Sequence, residues 1–207
     1  MIDTRRPLIL GVGGTPRAGS GTERALAISL RAAEAAGAKT LMISGPDLVL
    51  PLYTPGTDRT PEAASLIRAF RRCDGLILAS PAYHGSISGL MKNVLDYAED
   101  LRPDQRVYFD GLAVGLIACA GGWQAAVQTM TAMRTIVHSL RGWPTPLGAT
   151  LNTSTPMFDE HGGCSDSASR FQLETVGTQV AEFAQMRIDR ETRAARMNDR
   201  TLIAVNA

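Results

Sequence analysis

The sequence predicts an α/β protein in which a parallel β-sheet carries helices on both of its faces. Two observations support this prediction: short apolar runs alternate with longer amphipathic segments, and the alternation continues along most of the 207 residues. Such alternation is typical of consecutive strand–helix–strand units, whose right-handed crossovers bring parallel strands side by side. A chain of this length buries enough surface for one domain with a complete hydrophobic core.

Five apolar runs are predicted to be strands, because each is short and is followed by a glycine, a proline or a polar residue. The predicted strands are residues 8–12, 39–43, 76–79, 113–120 and 146–151. Five parallel strands suit the order 2-1-3-4-5 of the flavodoxin-like fold, so we expect a three-layer sandwich with this order. Ligands of this fold bind at the carboxyl ends of the strands, which makes the loops after the first, third and fourth strands the candidate binding loops.

The segments between and after these strands are predicted to be helices. Pro61 begins one of them, and Arg71 and Arg72 stand in its last turn, as the helix dipole favours. The predicted helices are residues 22–36, 61–72, 89–101, 123–140 and 166–187 or beyond. We predict one domain over residues 1–190 and a C-terminal tail over residues 191–207, where arginines are interleaved with acidic residues.

Composition and charge argue against several classes of function. The formal net charge of +1 disfavours nucleic-acid binding, which requires a basic surplus. The cysteines Cys73, Cys119 and Cys164 are far apart and odd in number, which is typical of a reducing compartment. Because we find neither a signal peptide nor a membrane span, we expect a cytoplasmic protein. Asp159, His161 and Cys164 share one loop but lack a second ligand pair, so we predict no metal site.

The loop after the first strand has the character of a phosphate-binding loop. A Walker loop needs lysine where Ser20 stands, and the dinucleotide fingerprint meets Pro16 at its third glycine. The remaining features are the hydroxyls of Thr15, Ser20 and Thr22, which can donate to phosphate oxygens. Arg17 can pair with a dianion, and the following helix N-terminus favours an anion. The competing interpretation is that these residues only cap the helix and that Arg17 is solvated.

The loops after the third and fourth strands are suited to a flat ligand. In the first of them, Tyr83 can cover part of a ring face, while the favoured interpretation of His84 is a hydrogen-bonded loop histidine without a chemical role. Ser86 lies outside a G-x-S-x-G nucleophile elbow, so a serine hydrolase is an unsupported alternative. In the loop after the fourth strand, Gly121 and Gly122 allow close backbone approach to a planar group.

Two of these loops resemble the signatures of the NADPH-dependent FMN reductase family, which has the flavodoxin-like fold. The segment GTPRAGS resembles its G-S-x-R-x-x-S pattern, with Thr15 in place of serine, and SPAYHGSISGLMKNVLDY resembles its longer second signature. The resemblance implies that the FMN phosphate is held by Thr15, Arg17, Ser20 and Thr22. It implies that the isoalloxazine is lined by Pro81, Ala82, Tyr83, His84, Gly85 and Ser86, and bordered by Ala120, Gly121 and Gly122. Ala82 replaces an acidic residue that some members carry, which puts any role of that acid in doubt.

The resemblance implies that residues 1–190 form an FMN-binding domain of an NAD(P)H-dependent FMN reductase. Hydride would pass from NADPH or NADH to FMN, and electrons would pass to a second acceptor, or reduced flavin to a partner monooxygenase. Hydride transfer requires no protein acid or base, so we assign no catalytic side chain. A homodimer or homotetramer is expected. The alternatives are an FMN-bound quinone or azo reductase and a flavodoxin-type electron carrier, against which the small net charge weighs.

Overall fold

The computed structural model describes residues 5–205, apart from the side chains of residues 196 and 198–205. Seven strands within these residues form one sheet, whose central path is β2-β1-β3-β5-β6. The strands are β1 Leu8–Gly13, β2 Lys39–Ile43, β3 Gly75–Tyr83, β4 Ser86–Ile87, β5 Ala113–Ala120, β6 Trp143–Pro144 and β7 Ala149–Asn152. The neighbours along this path are parallel, which confirms the α/β class.

The prediction of five strands is wrong, although the order 2-1-3-4-5 survives in the arrangement of the longer strands. The fifth position is shared by β6 and β7, which both pair with β5 but at different ends of it. Pro146 stands between these two short strands and has no N–H for a sheet hydrogen bond, so a continuous strand is interrupted there. The other additional strand, β4, is antiparallel to the end of β3 and forms a hairpin with it.

All five predicted helices are present. They are α1 Gly21–Ala35, α2 Pro61–Arg72, α3 Gly89–Asp96, α4 Trp123–Ser139 and α5 Ser167–Val205. The predicted helix over residues 89–101 is α-helical only as far as Asp96 and continues as a 3-10 helix over Tyr97–Leu101. Helix α5 runs without a break through residue 190, so the boundary between domain and tail stays a prediction. Within residues 5–205, no helix is long and apolar enough to cross a membrane.

The helices cover the sheet in two layers, each with its own hydrophobic core. Alternate residues of a strand point to opposite faces, so neighbouring positions of β1 enter different cores. Ile9 packs with α1 and α5, whereas Leu10 packs with α2, α3 and α4. The chain is therefore a three-layer sandwich, and the loops after β1, β3 and β5 share the carboxyl edge of its central strands.

The long connection between β2 and α2 is held against the body of the protein by Arg59. The guanidinium of Arg59 donates to both carboxylate oxygens of Asp100, at 2.7 and 2.8 Å, and lies 4.7 Å from the ring centre of Tyr53. The hydroxyl of Tyr53 donates to the same carboxylate at 3.1 Å. The hydrogen bonds from Arg59 lower the pKa of Asp100 below its ordinary value of 3.8.

We expect Asp100→Asn to lower the free energy of unfolding by about 1–2 kcal/mol at neutral pH, because a partly buried bidentate pair is lost. A carboxylate whose pKa is lowered on folding stabilises the protein above its unfolded pKa, and this stabilisation is lost as the pH falls. Thermal unfolding should therefore show the variant and the wild type converging below pH 3.8. Asp104→Asn, which removes the more exposed pair with Arg71, is the matched control and should have a smaller effect at neutral pH.

Candidate functional site

The loops after β1 and β3 are bonded to each other through Gly14. Its N–H donates to the carbonyl oxygen of Ala79 at 2.6 Å, and its own carbonyl accepts from the Ser88 hydroxyl at 3.0 Å. A Cβ at Gly14 would lie 3.0 Å from the Cβ of Met91 and 3.1 Å from the Ala79 oxygen. Only glycine fits this close approach without a shift of the backbone, so the phosphate-type loop is fixed directly beside β3.

The first loop, residues 14–20, has its hydroxyls engaged internally. The Ser20 hydroxyl accepts from the N–H of Glu23 at 3.3 Å and so caps α1, as the capping interpretation predicts. The hydroxyl of Thr15 lies 2.8 Å from the Ser20 oxygen and 3.1 Å from the carbonyl oxygen of Arg17. These two hydroxyls therefore organise the loop. Their predicted contact with a phosphate stays a prediction.

The same loop also presents groups that suit an anion. The backbone N–H groups of Arg17, Ala18 and Gly19 donate to no acceptor within the described part of the chain, whereas that of Ser20 faces the Arg17 carbonyl across the turn at residues 18 and 19. Arg17 is exposed, and its guanidinium has no hydrogen bond or ion pair with the residues that the structure describes. Unpaired amides at the start of a helix of 15 residues, next to a free guanidinium, form a site with positive potential.

Thr22 differs from the other residues predicted to hold the phosphate. It is 4% exposed and forms a hydrogen bond with the thiol of Cys119 on β5. Burial raises the pKa of that thiol to about 12, and the Thr22 hydrogen bond opposes the shift only in part. Cys119 is consequently a neutral, structural thiol, and Thr22 lies between the first loop and the sheet.

The predicted loop over residues 80–89 is largely a β-hairpin. Ala82 pairs with Ile87 and Tyr83 pairs with Ser86, so His84 and Gly85 form a two-residue turn. Both turn residues have positive φ, 51° and 83°, as a type I′ turn requires. This hairpin was not predicted because His84-Gly85 is not one of the Asn-Gly or Asp-Gly pairs that usually mark such turns.

The hairpin brings the predicted ring-lining residues to the same edge as the first loop. Its side chains from Tyr83 to Ser86 are exposed, while Pro81 and Ala82 are partly buried. The Thr129 hydroxyl of α4 donates to the Ser86 carbonyl at 3.1 Å and fixes the returning arm. No hydrogen bond joins the Ser86 hydroxyl to a histidine among residues 5–205, so the geometry of a serine hydrolase is not assembled there.

The third loop, residues 120–122, leaves open space at the end of β5. A Cβ at Gly121 or at Gly122 would meet no atom within 4 Å. Thr153, which the sequence analysis missed, holds the loop: its N–H and its hydroxyl both donate to the Ala120 carbonyl, at 2.7 and 3.0 Å. Trp123 follows and is 56% exposed, so it borders the open edge and is not a core residue.

The model of the NADPH-dependent FMN reductase family matches residues 7–155, which is more than half of the chain. The chain belongs to this family. The match contains the three loops described above. It ends at residue 155, before the segment that leads to α5 and before α5 itself. The matched range of this family member includes both signature segments, the one in the first loop and the one that contains the hairpin.

Curated relatives of this family member match over a shorter range. The FMN-dependent NADPH-azoreductase of Staphylococcus aureus (strain USA300) is 39% identical over 100 residues, which cover 48% of this chain and 50% of that protein. The same enzyme from strain NCTC 8325 gives the same values. The chain spans about half the length of the curated relatives it matches.

Solved structures with low sequence identity share the fold of this family member. FerB, a flavoenzyme NAD(P)H:(acceptor) oxidoreductase from Paracoccus denitrificans, has a TM-score of 0.70 at 15% identity, with 87% of this chain and 98% of that chain covered. A WrbA-like flavodoxin from Agrobacterium tumefaciens has a TM-score of 0.59 at 15% identity, with coverages of 87% and 98%. These similarities confirm the flavodoxin-like fold class.

Proposed function

We propose that this protein is an NAD(P)H-dependent FMN reductase that transfers hydride from a nicotinamide nucleotide to FMN. The observation that carries the proposal is the anion-binding first loop, with Arg17 and unpaired amides, beside an open edge formed by the hairpin and the third loop. Bound FMN supplies the redox chemistry, because it accepts a hydride and passes electrons to a second acceptor. The family match to residues 7–155 supports this proposal.

The residues of the three loops fit FMN. Arg17 and the N–H groups of residues 17–19 suit its phosphate, since they offer positive charge and free donors on one surface. The open space above Gly121 and Gly122 suits a planar ring that approaches the backbone closely. The exposed turn from Tyr83 to Gly85 presents an aromatic side chain and peptide groups to the same edge.

The chain's own contribution to the reaction is binding and orientation. Arg17 neutralises negative charge at the phosphate end, while Gly14 and Thr153 hold the loops in fixed positions relative to the sheet. Tyr83 and Trp123 are exposed aromatic side chains at the open edge, where they exclude water from one side of a flat ligand. We assign no proton transfer to a side chain, because hydride transfer between nicotinamide and flavin needs none.

We propose an aromatic azo or quinone compound as the second acceptor, with NADPH as the reductant and NADH as the alternative. The name of the relatives, FMN-dependent NADPH-azoreductase, supports an azo compound as acceptor and NADPH as reductant. Transfer of reduced flavin to a partner monooxygenase is the second possibility, and it would require FMN to leave the site. A flavodoxin-type carrier without NAD(P)H activity is the remaining alternative, and only the reaction with NAD(P)H separates it from a reductase.

We further propose a homodimer or homotetramer in the cytoplasm. The exposed apolar side chains Trp123 and Val127, one turn apart on α4 at the edge of the site, support contact with a second subunit. The three cysteines are buried and form no disulfide, which supports a reducing compartment. Light scattering during gel filtration tests the oligomeric state.

The proposed function predicts that purified protein binds FMN and that FMN stimulates its oxidation of NADPH or NADH. Flavin binding is measured by the visible spectrum and by a titration of flavin fluorescence, and nucleotide oxidation by absorbance with and without added FMN. An azo dye and a quinone are then compared as acceptors. Tight FMN binding without nucleotide oxidation would support the electron carrier, and protein without any flavin binding would contradict both.

A further inference from the structure

A segment beyond the family match packs against the start of α1. This segment, residues 157–165, is called the strap here. The ring of Phe158 lies against Gly21, since a Cβ at Gly21 would be 3.6 Å from one of its ring carbons. Arg31 on α1 donates to the carbonyl oxygen of Gly162 at 2.8 Å. The strap is therefore fixed to the helix that begins directly after the phosphate-type loop.

Hydrogen bonds within the strap make it a defined structure. The Asp159 carboxylate accepts from the N–H groups of His161 and Gly163, at 2.9 and 2.8 Å, and these hydrogen bonds lower the pKa of Asp159. The N–H of Asp159 donates to the Gly163 carbonyl at 3.0 Å, and the N–H of Ser165 donates to Met157 at 2.8 Å. These bonds hold the Asp159 carbonyl oxygen, which faces α1, in one position.

Arg24 connects the strap to the first loop. Its Nε donates to the carbonyl oxygen of Gly19 at 3.1 Å, and one terminal nitrogen donates to the carbonyl oxygen of Asp159 at 3.4 Å. A planar guanidinium can hold two acceptors at once in a fixed relative position. The Gly19 carbonyl is thus held between the loop and the strap, at a glycine with a left-handed φ of 68°.

Holding this carbonyl also sets the direction of the next N–H group. A trans peptide is planar, so the N–H of Ser20 points opposite to the C=O of Gly19. Because Arg24 fixes that C=O, the Ser20 N–H is turned to the other side, toward the Arg17 carbonyl that closes the turn at residues 18 and 19. Thr15 acts in the same way two peptides earlier in the loop, since its hydroxyl bonds the Arg17 carbonyl and so orients the N–H of Ala18.

We propose that Arg24, braced by the strap, is a positioning residue for the phosphate group of a flavin nucleotide. It does not contact the phosphate. It fixes the turn over residues 17–20, and with it the free amides of Arg17, Ala18 and Gly19 that bind the phosphate. It thereby raises affinity for FMN over riboflavin and slows FMN release. This inference rests on the proposed function, because it assigns the first loop to the phosphate of FMN.

The test compares Arg24→Gln with Arg31→Gln by flavin titration and by the rate of FMN dissociation. Both residues are exposed arginines of α1 that bond the strap, but only Arg24 also bonds the first loop. We expect Arg24→Gln to weaken FMN binding about tenfold and to leave riboflavin binding within about twofold of wild type. Arg31→Gln should leave both affinities within about twofold. Melting temperatures should match the wild type.

A third variant, Arg24→Lys, separates position from charge. Lysine keeps the positive charge but lacks the planar fork that spans two carbonyl oxygens, so its FMN affinity should stay close to that of Arg24→Gln. Full recovery in Arg24→Lys, equal losses for FMN and riboflavin, or equal losses in Arg24→Gln and Arg31→Gln would each overturn the inference. Wild-type protein that binds FMN no better than riboflavin would instead overturn the phosphate site of the proposed function.

Discussion

Replacing Gly177 by alanine is expected to lower the free energy of unfolding by about 2 kcal/mol, against the usual preference of helices for alanine. Gly177 lies on α5 where this helix crosses α1, and a Cβ there would be 1.9 Å from the carbonyl oxygen of Ser29. The obstacle is backbone, so it cannot move aside as the end of a flexible side chain can. The Ser29 hydroxyl also donates to the Leu173 carbonyl at 2.7 Å across the same crossing.

The measurement is thermal unfolding, in which a loss of about 2 kcal/mol lowers the melting temperature by about 4–8 °C in a protein of this size. Gly89→Ala is the matched control, because Gly89 is also a helical residue and a Cβ there would meet no atom within 4 Å. The control should unfold at or slightly above the wild-type temperature. A Gly177→Ala variant as stable as the control would mean that α1 and α5 are farther apart in solution.

The helices could be predicted from the sequence where local signals determine their ends. Pro61 follows the capping residue Thr60, and α2 has the predicted bounds. Ser20 and Ser88 cap α1 and α3, which begin within one residue of their predicted starts. The pairing of Trp143 and Pro144 with β5 and the length of α5 depend on contacts with distant elements, and a single local window contains neither signal.

The location of the candidate site could also be predicted, because parallel strands bring their carboxyl ends to one edge. The sequence could not show what each side chain does at that edge. The hydroxyls of Thr15 and Ser20 bond to each other, and Thr22 interacts with the thiol of Cys119. All three residues carry a hydroxyl that could instead have bound a phosphate. Arg24 had no motif to mark it, since its role depends on a carbonyl 135 residues away in sequence.

We expect Arg17→Ala to weaken FMN binding by about 1.5–3 kcal/mol, or about 10- to 150-fold, because a charged hydrogen bond to the phosphate is lost. The melting temperature should not change, since the guanidinium of Arg17 is exposed and bonds to none of the described residues, and the backbone carbonyl that bonds Thr15 is kept in alanine. Arg68→Ala is the control: Arg68 is an exposed arginine of α2, distant in sequence from all three loops. Flavin titration measures both variants, and an Arg17→Ala protein with wild-type affinity would contradict the assignment.

The direct role of Arg17 and the indirect role of Arg24 lead to opposite expectations for lysine. A lysine at position 17 keeps a charge that can reach the phosphate, so Arg17→Lys should recover part of the affinity that Arg17→Ala loses. A lysine at position 24 cannot hold the Gly19 and Asp159 carbonyls together, so it should recover little. Added salt should weaken the Arg17 contribution more, because it screens a charge that acts through exposed surface. The two arginines can therefore be assigned separate functions in one set of flavin titrations.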